Sequence, residues 1–181
     1  MMKKIISLSA IVATLTLVGC GGSSSSQTGF LVDSAVANVD YDCLADNEYN
    51  KTTQKDGSFS CKHMNDVRFR IGSLVLAEMK EIPEDGYVFP YDFFNLKRDV
   101  DIMDKQVIAM AQLLQSLDED HNASNGIYIT DSMKAKMKKG YFQVNDFMNY
   151  INNAEVELVD EDEAFNHLVD TLEEYLHNKA K

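Results

Sequence analysis

The chain has 181 residues, with 17 Lys and Arg against 29 Asp and Glu, a formal charge of −12. Acidity of this size argues against sequence-independent binding to DNA or RNA, which needs clustered cations to displace counterions. It equally gives the side chains no pull toward anionic lipid. No apolar run reaches the ~20 residues of a membrane-spanning helix, and the length suits one domain or two small lobes sharing a core.

At the N-terminus, Lys3 and Lys4 precede residues 5–18, an apolar stretch broken only by Ser and Thr and too short to span a bilayer. It ends in Leu17-Val18-Gly19-Cys20, followed by Gly21-Gly22 and four serines. This pattern resembles the lipobox of bacterial lipoproteins at every position. The resemblance implies that residues 1–19 are a signal peptide, that the Cys20 sulfur carries diacylglycerol, and that its new amine is acylated. Each buried methylene contributes about 0.8 kcal/mol, so three chains make detachment negligible. The partner implied is a membrane, held through acyl chains and not spanned. Gly21, where an Asp would favour inner-membrane retention, favours the outer membrane. Residues 20–28 then form the lipidated Cys and a Gly/Ser tether reaching roughly 16 Å.

Residues 29–77 read mainly with period two. Val39, Tyr41 and Cys43 alternate with acids; Phe59 and Cys61 follow an Asp56-Gly57 turn; Val67, Phe69 and Ile71 alternate with Arg68 and Arg70; Leu74 and Leu76 follow Gly72-Ser73. Short alternating runs between turn residues predict four or five antiparallel strands with one buried face, an Ig-like or half-sandwich β lobe. Cys43 and Cys61, an even pair in an oxidising compartment, are expected to form a disulfide worth about 3 kcal/mol. The alternative is a metal pair with His63, but nothing nearby completes a ligand set. Residues 78–98 read as an irregular connector, broken by Pro83, Gly86 and Pro90 and rich in rings: Tyr87, Phe89, Tyr91, Phe93 and Phe94. These rings are expected to fill the core between lobes; the other use is an aromatic ligand platform.

From residue 99 to 181 the period becomes helical. Val107, Met110, Ala111, Leu114 and Leu117 predict one face of a helix of about 15–19 residues. A second helix falls within residues 130–139, capped by Thr130 or Asp131, and a third within 144–152. A last helix starts at Asp160, with Glu163 at capping-box spacing, an apolar stripe through Phe165, Leu168, Val169, Leu172, Tyr175 and Leu176, and Lys179 and Lys181 at its C-terminal end. The fold class is therefore α+β, a small antiparallel β lobe followed by a helical lobe of three to four helices.

The stretches G-F-L-V-D-S-A-V-A-N-V-D-Y-D-C, T-T-Q-K-D-G-S-F-S-C and V-R-F-R-I-G lie within residues 29–72. A-Q-L-L-Q-S-L-D-E-D-H-N-A-S-N-G-I spans 111–127, and E-A-F-N-H-L-V-D-T-L spans 163–172. Together they look like modules recurring in bacterial surface and outer-membrane lipoproteins. The resemblance implies surface placement, with occasional links to adhesion, and no enzyme chemistry.

The loop from Asp118 carries two further readings. Asp118, Asp120, Asn122 and Ser124 match the opening of an EF-hand and make Asp118, Asp120 and Asn122 candidate calcium ligands, with Asp131 to close the site. Ala123 replaces the turn glycine, and Ile129 stands where a bidentate Glu belongs. The competing reading is a polar turn with Asn125-Gly126 at positive φ. Asn122-Ala123-Ser124 and Asn50-Lys51-Thr52 are also N-x-S/T acceptors, each with an acid two residues earlier, Asp120 and Glu48. This resembles the extended acidic sequon of bacteria that N-glycosylate exported proteins, so Asn50 and Asn122 are candidate glycosylation sites. No nucleophile elbow, zincin, P-loop or dinucleotide motif is present, and His63, His121, His167 and His177 are scattered. The sequence thus favours a non-catalytic, lipid-anchored envelope protein without cofactor: a binding or adhesion module for a protein or glycan. The alternative is a periplasm-facing structural or assembly lipoprotein docking on an envelope complex.

Overall fold

The structure, a computed structural model, describes residues 25–99 and 103–179. The expected signal peptide, Cys20 and Lys181 lie outside the described residues. Within them the fold is mixed α+β, with ten strands and four α-helices, and no described helix is long and apolar enough to cross a membrane.

The strands are β1 (Gln27–Leu31), β2 (Val36–Ala37), β3 (Asp40–Cys43), β4 (Glu48–Thr52), β5 (Ser58–Cys61), β6 (Asn65–Ile71), β7 (Leu74–Glu81), β8 (Tyr87–Val88), β9 (Ile127–Tyr128) and β10 (Gly140–Tyr141). The helices are α1 (Lys105–Ser116), α2 (Asp131–Lys136), α3 (Phe147–Ala154) and α4 (Glu161–Lys179). A five-stranded sheet runs β10-β7-β6-β3-β4, a three-stranded sheet β5-β1-β8, and β2 pairs with β9.

Alternation decides the central strands. Val67, Phe69 and Ile71 of β6 are fully buried, while Arg68 and Arg70 occupy the opposite face. The β6–β7 hairpin turns at Gly72, where φ is +57° and a Cβ would lie 2.1 Å from the Lys134 carbonyl oxygen. Only glycine fits there. β7 runs to Glu81, four residues into the stretch read as irregular. Its Met79 packs inward while Glu78 and Lys80 are outside, bonded to Arg68 and Asp66. β4 carries no alternation. It is an edge strand, with Asn50 at φ +58°, held by antiparallel pairing to β3.

The two larger sheets face each other across Phe59, whose ring centroid lies 5.7 Å from Tyr41 and 5.0 Å from Phe69. The Cys43–Cys61 disulfide joins β3 of one sheet to β5 of the other. The C-terminal half completes these sheets. β10 pairs in parallel with β7, and β9 in parallel with β2. One core cluster accordingly includes Phe69 and Ile71 from the strands together with Met110, Leu113 and Ile151 from the helices.

α1 is shorter than the periodicity predicts, 12 residues capped by Asp104, whose carboxylate accepts from the Gln106 amide. Every residue from Val107 to Ser116 is buried, so the apolar stripe understates its burial. Its polar side chains are paid for locally: Gln112 donates to the Val159 carbonyl, Ser116 accepts from the Val159 amide, and Gln115 donates to the Ala164 carbonyl. α2 is capped by Thr130, and Asp160 accepts from the Asp162 and Glu163 amides at the head of α4.

Phe89, Tyr91 and Phe93 of the connector are buried. Phe89 and Tyr91 pack with Val107, Ala111, Leu168 and Leu172, between α1 and α4. Arg98 holds the segment in place. Its guanidinium lies 4.6 Å from the Phe89 ring centroid and donates to Asp85, Asp92 and the Tyr87 carbonyl. Rings engaged in this way form core, and Phe89, Tyr91 and Phe93 present no ligand platform.

Candidate functional site

Cys43 and Cys61 are fully buried and bonded to each other. Among the described residues, the group of potential metal ligands found together is Cys43, Asp46 and Cys61. Its two sulfurs are consumed by the disulfide. Asp46 is occupied as well: its carboxylate accepts from the Lys62 and His63 amides and bonds His63 Nδ1 at 2.6 Å. His63 therefore braces the turn beside the disulfide and does not join the sulfurs in a ligand set.

The 118–130 loop closes on itself. Asp118 is 2% exposed; one carboxylate oxygen accepts from the Tyr128 amide at 2.7 Å and the other from the Asn122 amide at 2.9 Å. Asp120 accepts from the Asn122 amide and from the Asn125 side chain. All four carboxylate oxygens of Asp118 and Asp120 thus meet donors of the loop itself. Burial pushes the Asp118 carboxyl above its usual range, with the neighbouring Asp120 adding to it. The positive φ values fall at His121 and Gly126 and not at Asn125. Asp131 faces Asn38 and Lys134, away from a closing position, and Ile129 is fully buried. A cleft of 520 Å³ lies against this loop, lined by Ala35, Lys55, Asp120, Asn125 and Tyr128 among others.

Sequence reasoning missed a polar cluster at the turn between β1 and β2. Asp33 is fully buried. Its Oδ2 accepts from Gln115 at 3.1 Å, and its Oδ1 has no partner among the described residues. Burial pushes its pKa up to about 7 against the opposing bond from Gln115. Ser34 follows at φ +58°, its Oγ 3.2 Å from His167 Nε2, which also lies 3.5 Å from Thr171 Oγ1. Burial holds the His167 imidazole below its ordinary range, which favours the neutral ring. A serine beside a neutral histidine has the first two parts of an acyl-transfer relay. Among the described residues the His167 ring bonds Ser34, Thr171 and the Asp33 backbone, while the Asp33 carboxylate bonds Gln115 of α1. The cluster instead ties the turn to α1 and α4. The one sequence signal was an acid next to Leu31-Val32, in a run otherwise apolar enough to be core.

Both sequon asparagines are exposed. Asn50 sits on edge strand β4, its side-chain oxygen 3.3 Å from the Arg70 guanidinium; Asn122 lies in the 118–130 loop with exposed Ser124 beyond it. Compared with family models, curated proteins and solved structures, the chain matches none.

Proposed function

We propose that the protein is a lipid-anchored, non-catalytic envelope protein of the outer membrane, a binding or adhesion module held by Cys20. The observation that carries this reading is Leu17-Val18-Gly19-Cys20 after a short charged and apolar leader, followed by Gly and Ser residues without core-forming side chains. Two features of the folded part support it. The disulfide suits an exported chain. The polar cluster at Ser34 and His167 is engaged in holding elements together, which leaves it a structural role.

The strand order bears on where the anchor would join the fold. β1 begins at Gln27, paired with Cys61, so the tether enters at the disulfide end of the strands. The Gly72 turn lies at the other end, because Cys43 pairs with Val67 and Asp40 with Arg70. In this reading the anchor joins the fold at the disulfide end, and the Gly72 turn lies at the far end of the strands. Protease treatment of intact cells tests the display: cleavage of the chain before lysis supports a surface module, whereas full protection until the outer membrane is opened favours a periplasmic assembly partner.

A further inference from the structure

A basic segment stands out in the acidic chain. Residues 132–145 contain Lys134, Lys136, Lys138 and Lys139 and no acid. Two of these lysines are pinned inward. Lys134 bonds Asp40 at 3.0 Å and Asn38 at 3.2 Å; Lys136 bonds the Ala154 carbonyl at 2.7 Å and Glu155 at 3.3 Å. Lys138 and Lys139 are exposed, and neither ammonium has a carboxylate partner among the described residues.

These free cations stand on a ridge between two clefts. The ridge is Lys139-Gly140-Tyr141, fixed to the sheet by β10–β7 pairing and by the Phe142 amide donating to the Val75 carbonyl at 2.8 Å. One cleft, of 340 Å³, is walled by Arg68, Arg70 and Ser73. The other, of 440 Å³, is walled by Lys138, Asn149, Asn152 and Asn153. Both volumes fall in the range of small-molecule sites. The Tyr141 ring on the ridge is 59% exposed, and its hydroxyl donates to Glu78 at 3.1 Å. Arg68 and Arg70 are held as fixed cleft walls by Glu78 and Asp42. Asp146 is the acid lining the second cleft, and it accepts from the Asn149 side chain at 3.4 Å.

We propose that these two clefts form one binding site for an acidic polysaccharide, with sugar rings crossing Tyr141 and their carboxylates or sulfates taken by Lys138 and Lys139. Each part matches one feature of such a ligand. An exposed ring offers a flat apolar face to a sugar. Asparagine amides donate and accept toward neighbouring hydroxyls, and the cations supply charge-assisted bonds to the acid groups. The clefts adjoin the Gly72 turn, away from the end of the strands where the tether enters. That turn is separated from the tether end by the seven residues of β6, roughly 20 Å at about 3.3 Å per residue.

The inference rests on the reading of the chain as a binding module, and it deepens that reading by naming the ligand class. The test is isothermal titration of the full-length protein in neutral detergent with a galacturonic acid pentamer, the same pentamer with its carboxyls reduced, and glycerophosphoglycerol, the soluble headgroup of phosphatidylglycerol. The acidic pentamer is expected to bind, the reduced one at least tenfold more weakly. Lys138→Gln with Lys139→Gln is expected to lower affinity about tenfold or more, as loss of a charged hydrogen bond does, and Tyr141→Ala to weaken both pentamers. The lysine variants are exposed and leave the fold intact, so folding failure does not mask the result. Equal affinity for both pentamers, indifference to the lysine changes, or binding to the headgroup alone would overturn the site. Acylation at Cys20 does not enter this assay, so failure here leaves anchoring standing, and failure of anchoring leaves this result readable.

Discussion

Asp33 provides a direct test of how the polar cluster is built. Replacing it with Asn keeps an acceptor for Gln115 and removes the ionisable group. A carboxyl whose pKa rises from 3.8 unfolded to about 7 folded stabilises the fold while it is protonated. That contribution is fully present below the unfolded value and is lost as pH rises through the folded one. Between pH 5 and pH 8 the loss amounts to about 2.5 kcal/mol, at about 1.4 kcal/mol for each tenfold change in proton affinity. His167 has the opposite sign. Its folded pKa is depressed below 6.5, so its contribution is present above 6.5 and lost as pH falls. The wild type alone would therefore show a blurred slope, and the difference between variant and wild type is the informative quantity. The new amide leaves a buried donor unpaired at a cost of about 1–3 kcal/mol, which shifts both pH values equally. Urea unfolding followed by circular dichroism at pH 5, 6, 7 and 8 measures it. Asp33→Asn should gain on the wild type by about 2.5 kcal/mol across that range. A difference that stays constant from pH 5 to pH 8 would refute the assignment of Asp33 as a carboxyl kept protonated by burial.

Other substitutions probe separate parts of the fold. Cys43→Ala with Cys61→Ala should lower unfolding stability by about 3 kcal/mol, and reductant should reproduce the loss in the wild type and do nothing to the variant. Gly72→Ala places a methyl group on the Lys134 carbonyl in a left-handed backbone and should cost at least about 2 kcal/mol by urea unfolding; no loss would show that the turn adapts. Asn50→Gln and Asn122→Gln should each remove one glycan mass from the protein isolated from a native host that glycosylates exported chains; an intact mass without added sugar in the unsubstituted protein would end that reading.

The strongest sequence signals were the strands whose alternation is enforced by two different environments. β6 is legible because Val67, Phe69 and Ile71 meet the core while Arg68 and Arg70 meet carboxylates on the outer face. β4 was not legible, since Glu48 to Thr52 is polar throughout and is held by backbone pairing at an edge. The two-residue strands β9 and β10 were equally hidden. Their pairing partners lie far away in sequence, and local periodicity carries no information on such contacts. They are also what merges the expected lobes around a continuous core. Helix α1 was found, but its burial goes beyond the apolar stripe: Gln112 and Gln115, off that stripe, are buried on the Val159 and Ala164 carbonyls. The proposed glycan site was out of reach for a related reason. The lysine run is visible in sequence, yet only the fold separates Lys134 and Lys136, spent on internal bonds, from Lys138 and Lys139, left facing two clefts.

The account stands on the fate of the Cys20 thiol, and the mass of the native polypeptide extracted from membranes reads it out. A mature chain starting at Cys20 and carrying diacylglycerol plus one amide-linked acyl group, with Cys20→Ala leaving the precursor uncut, is the result expected. A native chain that retains residues 1–19, or one that starts elsewhere and bears no acyl mass, would contradict it.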